Sequence, residues 1–254
     1  MKLLILGGTS DARRLAQNLH QRGISVIYSL AGLVRLPVAD YTVISGGFSQ
    51  YGGLVNYLRG HDITGIVDAT HPYSMTMSEK ASKAARACSL PCWRYHRPAW
   101  RKQTQDTWLD YSDWGELLPM LDGKQSLFIT VGQVDLSVLS GFSERVRVLL
   151  RTAVKPQMDL CDNVHWVKAI GPFALEQEIA LMKEHSIDAL ICKNSGGQAT
   201  VAKLQAARQL GVSVFMLRRP QPTQTGNQSY AVFSDIDACG QAVLDYSKQA
   251  LDKA

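Results

Sequence analysis

The sequence predicts an α/β chain built on two parallel sheets, and three observations carry that prediction. An apolar run, Leu3–Leu6, passes through Gly7-Gly8-Thr9-Ser10 directly into a helical pattern. Strand-like runs then alternate with helix-like ones as far as Tyr95, the order that covers a parallel sheet on both faces. After an irregular stretch the alternation resumes at Ser126 and continues to a last helix. The expected architecture is two Rossmann-like parallel-sheet domains with an interdomain cleft: residues 1–97, a connector over 98–125, and residues 126–254.

The first helix is expected from Asp11 to Arg22, with Ala12, Leu15, Ala16 and Leu19 on one face and Gly23 as its stop. Ile24–Leu30 and Tyr41–Ser45 follow as strands, then helix-like Leu54–Arg59, a short strand Gly65–Asp68, and an Ala/Lys-rich helix over Ser74–Ser89. Pro91 precedes the strand Cys92–Tyr95. Between His96 and Gln125, Trp100, Trp108 and Trp114 fall without period, which reads as a connector. The second series comprises strands Ser126–Val131, Arg145–Leu150 and Val164–Ala169, a helix Ala174–His185, a strand Ala189–Lys193, a helix Thr200–Leu210 and a strand Val212–Leu217. A loop with Pro220 and Pro222 leads to a helix near Ile236–Lys253.

Composition narrows the function. The chain has 254 residues and a mild net charge of +5, with no polybasic run and no nucleic-acid motif, so nucleic acid is not an expected partner. No apolar stretch approaches membrane-spanning length and the amino end has no signal-peptide layout, so neither a membrane nor export is expected. The five cysteines (Cys88, Cys92, Cys161, Cys192, Cys239) form no C-x-x-C pair, as befits reduced thiols in a cytoplasmic protein without a metal site. With no coiled-coil pattern or spare amphipathic helix, a monomer is favoured.

The Gly7–Ala12 turn fits the first and last positions of the dinucleotide fingerprint G-x-G-x-x-G/A, but Thr9 stands where the second glycine belongs. Gly7, Gly8, Thr9 and Ser10 are candidates for holding a diphosphate through backbone N–H groups and hydroxyls; the same turn would also serve as a plain strand–helix junction capped by Ser10 or Asp11. NAD sites place an acid at the end of the second strand, yet no acid occurs between Ile24 and Asp40. Ser29 with the nearby Arg35 suits a ribose 2′-phosphate, which favours NADPH; Arg35 as a solvated loop cation is the other reading.

Asp68-Ala69-Thr70-His71-Pro72-Tyr73 is the densest polar cluster, at an expected strand–helix junction. His71 and Tyr73 could orient a substrate or relay a proton, while Asp68 and Thr70 could equally bond local backbone and Pro72 open the helix. In the second half, Thr130 ends one strand and Lys193-Asn194-Ser195-Gly196-Gly197 ends another. A lysine there is a natural anion ligand, and the Ser195-Gly196 turn allows a close backbone approach, unless the glycines only turn the chain. There is no Walker A spacing, no Ser-His-Asp set, and no Tyr-x-x-x-Lys pair at Tyr73 or Tyr95, which argues against the short-chain dehydrogenases. A non-catalytic nucleotide-sensing module is the reading from another class.

Taken in order, Ile5–Ala12, Ser29-Leu30-Ala31-Gly32, Gly46-Gly47-Phe48, Asp68–Tyr73, Thr130-Val131-Gly132, Gly171-Pro172-Phe173, Lys193–Gly197 and Arg219-Pro220 resemble the precorrin-6A reductase family of cobalamin biosynthesis. The resemblance runs nearly the whole chain. It implies a reduced nicotinamide cofactor, normally NADPH with NADH possible, delivering hydride to one double bond of an anionic tetrapyrrole, precorrin-6A or its cobalt-bearing counterpart. Tyr73 and Lys193 would hold or protonate the substrate, and His71, Thr130, Ser195 and Gly196 would contact it. The family often has Arg directly after Ser-Leu-Ala-Gly, where this chain has Leu33, leaving Arg35 to substitute or the cofactor preference to relax.

Overall fold

The computed structural model describes residues 1–30, 32, 39–132, 134–157, 159–220 and 230–252. β1 (Lys2–Leu6) is followed by α1 (Ser10–Gln21), β2 (Ser25–Leu30), β3 (Thr42–Ser45), α2 (Leu54–Gly60), β4 (Gly65–Asp68), α3 (Met75–Ala87) and β5 (Cys92–Tyr95). Then come β6 (Trp108–Tyr111), α4 (Trp114–Met120), β7 (Ser126–Ile129), α5 (Leu136–Leu139), β8 (Arg147–Thr152), β9 (Val164–Lys168), α6 (Leu175–Glu184), β10 (Ala189–Lys193), α7 (Ala202–Leu210) and β11 (Ser213–Leu217). β12 (Ala231–Phe233) and α8 (Ile236–Leu251) complete the order.

Two six-stranded sheets result, ordered β12-β5-β4-β1-β2-β3 and β6-β11-β10-β7-β8-β9, with every pair parallel. The central strands are buried on both faces, which is why they read as unbroken apolar runs. Leu3 and Ile5 of β1 face a core shared with Leu15 and Leu19 of α1, whereas Leu4 and Leu6 face Leu58 of α2 and Ala81 of α3. In the second sheet Leu127 and Ile129 point one way, and Phe128 points to the face covered by α6 and α7.

The division of the chain differs from the expected one. The compact units are Met1–Pro98 together with Pro220–Ala254, and Ala99–Arg219. Residues 98–125 are not a connector: β6 pairs with β11 (Val214 opposite Trp108), and Trp100 and Trp108 pack on the core of the second sheet. The expected second domain of 126–254 likewise loses its tail, because β12 pairs with β5 (Ala231 opposite Trp93). Ile236, Cys239, Val243 and Leu244 of α8 then join the core around α1. The first sheet is thus completed by a strand from beyond its own contiguous run, and the second by a strand from the stretch expected to be a connector. Among the described residues no helix is long and apolar enough to cross a membrane.

Candidate functional site

At the carboxyl edge of the first sheet, β1 runs out at Gly7, whose amide donates to the Ser29 carbonyl of β2 (2.9 Å). A Cβ on Gly7 would lie 2.2 Å from the Tyr28 ring, so only glycine fits. Gly8 has φ +111°, a left-handed conformation that glycine adopts without strain, and a Cβ there would meet nothing. Its amide donates to the Tyr28 hydroxyl (3.0 Å), which in turn donates to the Thr9 carbonyl (3.5 Å). Burial pushes the Tyr28 phenol above its ordinary pKa, against the lowering effect of the Gly8 amide.

Thr9 is the N-cap of α1. Its hydroxyl accepts from the Ala12 amide (3.0 Å) and donates to the Ala69 carbonyl (3.4 Å). Such a cap stabilises by about 1 kcal/mol. The hydroxyl expected to meet a phosphate is therefore already engaged, and what the helix start offers an anion is the backbone N–H groups of Ser10 and Asp11, which have no intrahelical acceptor. The Asp11 carboxylate would repel that anion, but Arg97, 7% exposed, binds it at 2.9 Å.

Beside this turn opens a cavity of about 640 Å³ whose lining includes Gly7, Ser29, Gly46, Gly47, Phe48 and Thr70. Lys80 and Lys83 of α3 bring positive charge to the same cavity. Room for a nucleoside next to free helix-start amides fits a dinucleotide. Arg35, the expected partner of Ser29, lies outside the described residues.

The loop after β4 is built on Asp68. Its Oδ1 accepts from the Thr70 amide (3.1 Å) and hydroxyl (2.7 Å), and its Oδ2 lies 3.6 Å from Arg94 Nε of β5. The Ala69 amide donates to the Leu6 carbonyl (2.9 Å), keeping this loop level with the glycine turn. The Tyr73 amide donates to His71 Nδ1 (3.4 Å), and the two rings are 5.5 Å apart. Asp68 and Thr70 thus do local structural work, while His71 and Tyr73 form a paired, half-buried group at the edge.

At the carboxyl edge of the second sheet, Lys193 ends β10, and burial lowers its pKa. Asn194 accepts from the Trp100 amide (2.8 Å), donates to the Trp100 carbonyl (3.1 Å), and through its own carbonyl accepts from Arg219 Nε (2.7 Å). Ser195 is buried, with its hydroxyl 3.3 Å from that of Thr200, and Gly196 has φ +70°. The Thr130 hydroxyl donates to the Ile191 carbonyl (3.3 Å) and accepts from Lys203 Nζ (2.9 Å). Beneath lies a fully buried pair: Arg151 grips Glu178 through both carboxylate oxygens (Nη2 to Oε2, 3.0 Å) and lies 3.9 Å over the Phe173 ring.

Gly7, Gly8, Thr9, Ser10, Ser29, His71 and Tyr73 therefore share the carboxyl edge of the first sheet, and Thr130, Lys193, Ser195 and Gly196 that of the second. Sequence reasoning passed over Tyr28, Arg97, Lys203 and the Arg151–Glu178 pair. Only Tyr28 left a signal, as a hydroxyl inside an apolar strand one position before the polar strand end.

A profile of the family described as "Precorrin-6x reductase CbiJ/CobK" matches residues 2–243. A Rhodococcus erythropolis protein named "Precorrin-6A reductase" is 40% identical over 226 residues, covering 86% of this chain and 89% of that one. A Priestia megaterium protein named "Cobalt-precorrin-6A reductase" is 28% identical over 236 residues, covering 86% of this chain and 91% of that one. The solved structure titled "CobK precorrin-6A reductase" superposes with a TM-score of 0.85 at 30% identity, over 96% of this chain and 97% of that one.

Proposed function

The chain belongs to the precorrin-6x reductase family, and from that premise we propose that it reduces one double bond of precorrin-6A, or of its cobalt-bearing form, with NADPH. The observation that carries the cofactor reading is the helix start at Ser10 and Asp11, open to an anion beside a cavity reached by Ser29, Lys80 and Lys83. No acid stands at the end of β2 to prefer an unphosphorylated ribose. When bound, the nicotinamide supplies the hydride.

The chain's own residues do the rest. The amides of Ser10 and Asp11 hold the diphosphate, and Arg97 removes the repulsion of Asp11. Thr9 and Tyr28 keep the turn in shape from its two sides. Ser29, Gly46, Gly47 and Phe48 receive the adenosine. Tyr73, steadied by His71, is assigned to the reacting end of the first edge. Lys193 is assigned to holding a macrocycle carboxylate or giving the proton that accompanies the hydride, a task its lowered pKa suits. The working protein is read as a cytoplasmic monomer.

An anaerobic assay with metal-free and cobalt-bearing precorrin-6A, each against NADPH and NADH, tests the reading. The expected result is loss of nicotinamide absorbance together with a shift of the tetrapyrrole spectrum, faster with NADPH. Nucleotide binding without a spectral change would instead mark a nucleotide-sensing module.

A further inference from the structure

The second unit carries a buried charge for which the reaction above has no use. Lys203 lies in the first turn of α7, is 5% exposed, and among the described residues its Nζ donates one hydrogen bond, to Thr130. The Trp100 ring lies 5.9 Å from the same nitrogen. Thr130 is fixed in turn, since both its amide and its hydroxyl donate to the Ile191 carbonyl of β10 (2.9 and 3.3 Å). The ammonium therefore sits one hydrogen bond below the point where β7 and β10 part. That is where the strand order of the second sheet reverses, the place at which open parallel sheets bind ligands.

The charges around it do not balance. Arg151 and Lys203 are two buried cations near one carboxylate, Glu178, which Arg151 already holds through both oxygens. Burial lowers the pKa of Lys203 and Arg151 lowers it further, while Cys192 and, less strongly, Glu178 oppose them. A buried ammonium with hydrogens left over is stabilised by any anion that reaches it. The first sheet meets its anion with helix-start amides, whereas the helix after β7 is only Leu136–Leu139, so at the second edge side chains add positive charge that this helix start does not supply. Lys193, at the end of β10, adds a second cation to that edge.

We propose that the carboxyl edge of the second sheet at Thr130 is a carboxylate subsite: the Thr130 amide keeps the Ile191 carbonyl, the hydroxyl turns its one proton from that carbonyl to an anionic side chain of the substrate, and Lys203 is the positioning residue that donates into the same hydroxyl. The proposal rests on the reading that the substrate is a polycarboxylated macrocycle.

The test compares Lys203→Met and Lys203→Arg with the wild type, measuring KM for the macrocycle and for NADPH separately. Lys203→Met is expected to raise the macrocycle KM about tenfold, the scale of losing a charged hydrogen-bonding partner, and to flatten its dependence on ionic strength. The NADPH KM should stay within about twofold, and Lys203→Arg should recover most of the loss. An unchanged macrocycle KM, or an equal rise in both KM values, overturns the proposal. If Lys203→Met does not fold, Thr130→Val keeps the charge and removes its outlet; a macrocycle KM raised severalfold supports the subsite and an unchanged one rejects it. If the wild type does not reduce the macrocycle at all, the functional reading falls. Calorimetric binding of uroporphyrin, a macrocycle bearing only carboxylate side chains, then decides the subsite: weaker binding to Lys203→Met, or to Thr130→Val where that variant is the one that folds, supports it, and equal binding rejects it.

Discussion

Five strands of each sheet, β5-β4-β1-β2-β3 and β11-β10-β7-β8-β9, follow the same path, with β12 added last to the one and β6 first to the other, yet the first turn out of each central strand leads to something different. From β1 the chain passes through Gly7 and Gly8 into the twelve residues of α1, with a capped, charge-neutralised helix start. From β7 it passes through Thr130 into the four residues of α5, and the charge comes from a buried lysine and an ion pair under the sheet. One topology thus carries two ways of making positive potential at the same edge. Backbone amides need no desolvated charge, whereas Arg151 is held buried by Glu178 and burial opposes the charge of Lys203.

The contrast is open to direct attack. The largest effect should come from Glu178→Ala, which leaves Arg151 and Lys203 buried without a counter-charge; breaking such a pair costs about 3–5 kcal/mol. Urea denaturation measures it, and a loss below about 1 kcal/mol would mean that the second edge does not depend on this pair. Gly7→Ala strikes the first edge, because the new methyl overlaps the Tyr28 ring. Overpacking of that kind costs about 1–3 kcal/mol, and the NADPH KM should rise while the macrocycle KM holds. A change in both would erase the division of labour between the edges.

Thr9→Ala should cost about 1 kcal/mol of stability through the lost cap, and Thr9→Ser should restore it. Thermal melting follows the cap, and the NADPH KM shows whether the helix start has been disturbed. The finest distinction lies in pH. Burial lowers the pKa of Lys193, so its charge is present at low pH and is lost on raising pH sooner than for an exposed lysine. Activity that needs the charged form should fall along an alkaline limb below the ordinary lysine range. Lys193→Arg should move that limb upward, and a profile identical to wild type would remove Lys193 from the site.

Much of this was legible in the residues. Central strands such as Leu3–Leu6 are apolar throughout because helices cover both faces, and α1 shows its buried face as Ala12, Leu15, Ala16 and Leu19. The outer strands were hidden for the opposite reason. β6 buries Tyr111 but leaves Leu109 42% exposed, and β12 is three residues long with Val232 52% exposed, so neither carries a period. Which sheet such a strand joins depends on pairing with a remote segment, which no local pattern records. The buried charges were masked similarly: Glu178 sits among Glu176 and Gln177, and Lys203 follows an alanine, so each looks like part of a solvated helix face until its partner is known. The glycine turn was correctly located, but the capping duty of Thr9 was not foreseen, since its hydroxyl is claimed by Ala12 and by Ala69 from the loop after β4.

The completion of the first sheet by β12 also sets a timetable. Trp93 of β5 waits for Ala231, and α1 waits for α8, so the amino-terminal half leaves the ribosome well before its own last strand exists. Throughout that interval β5 presents an unpaired edge of amides and carbonyls, the kind that recruits other chains. The unit Ala99–Arg219 is contiguous and suffers no such delay. The part of the protein that is synthesised second is therefore the first that can close, and the nascent chain is most exposed to aggregation in the half that was made first.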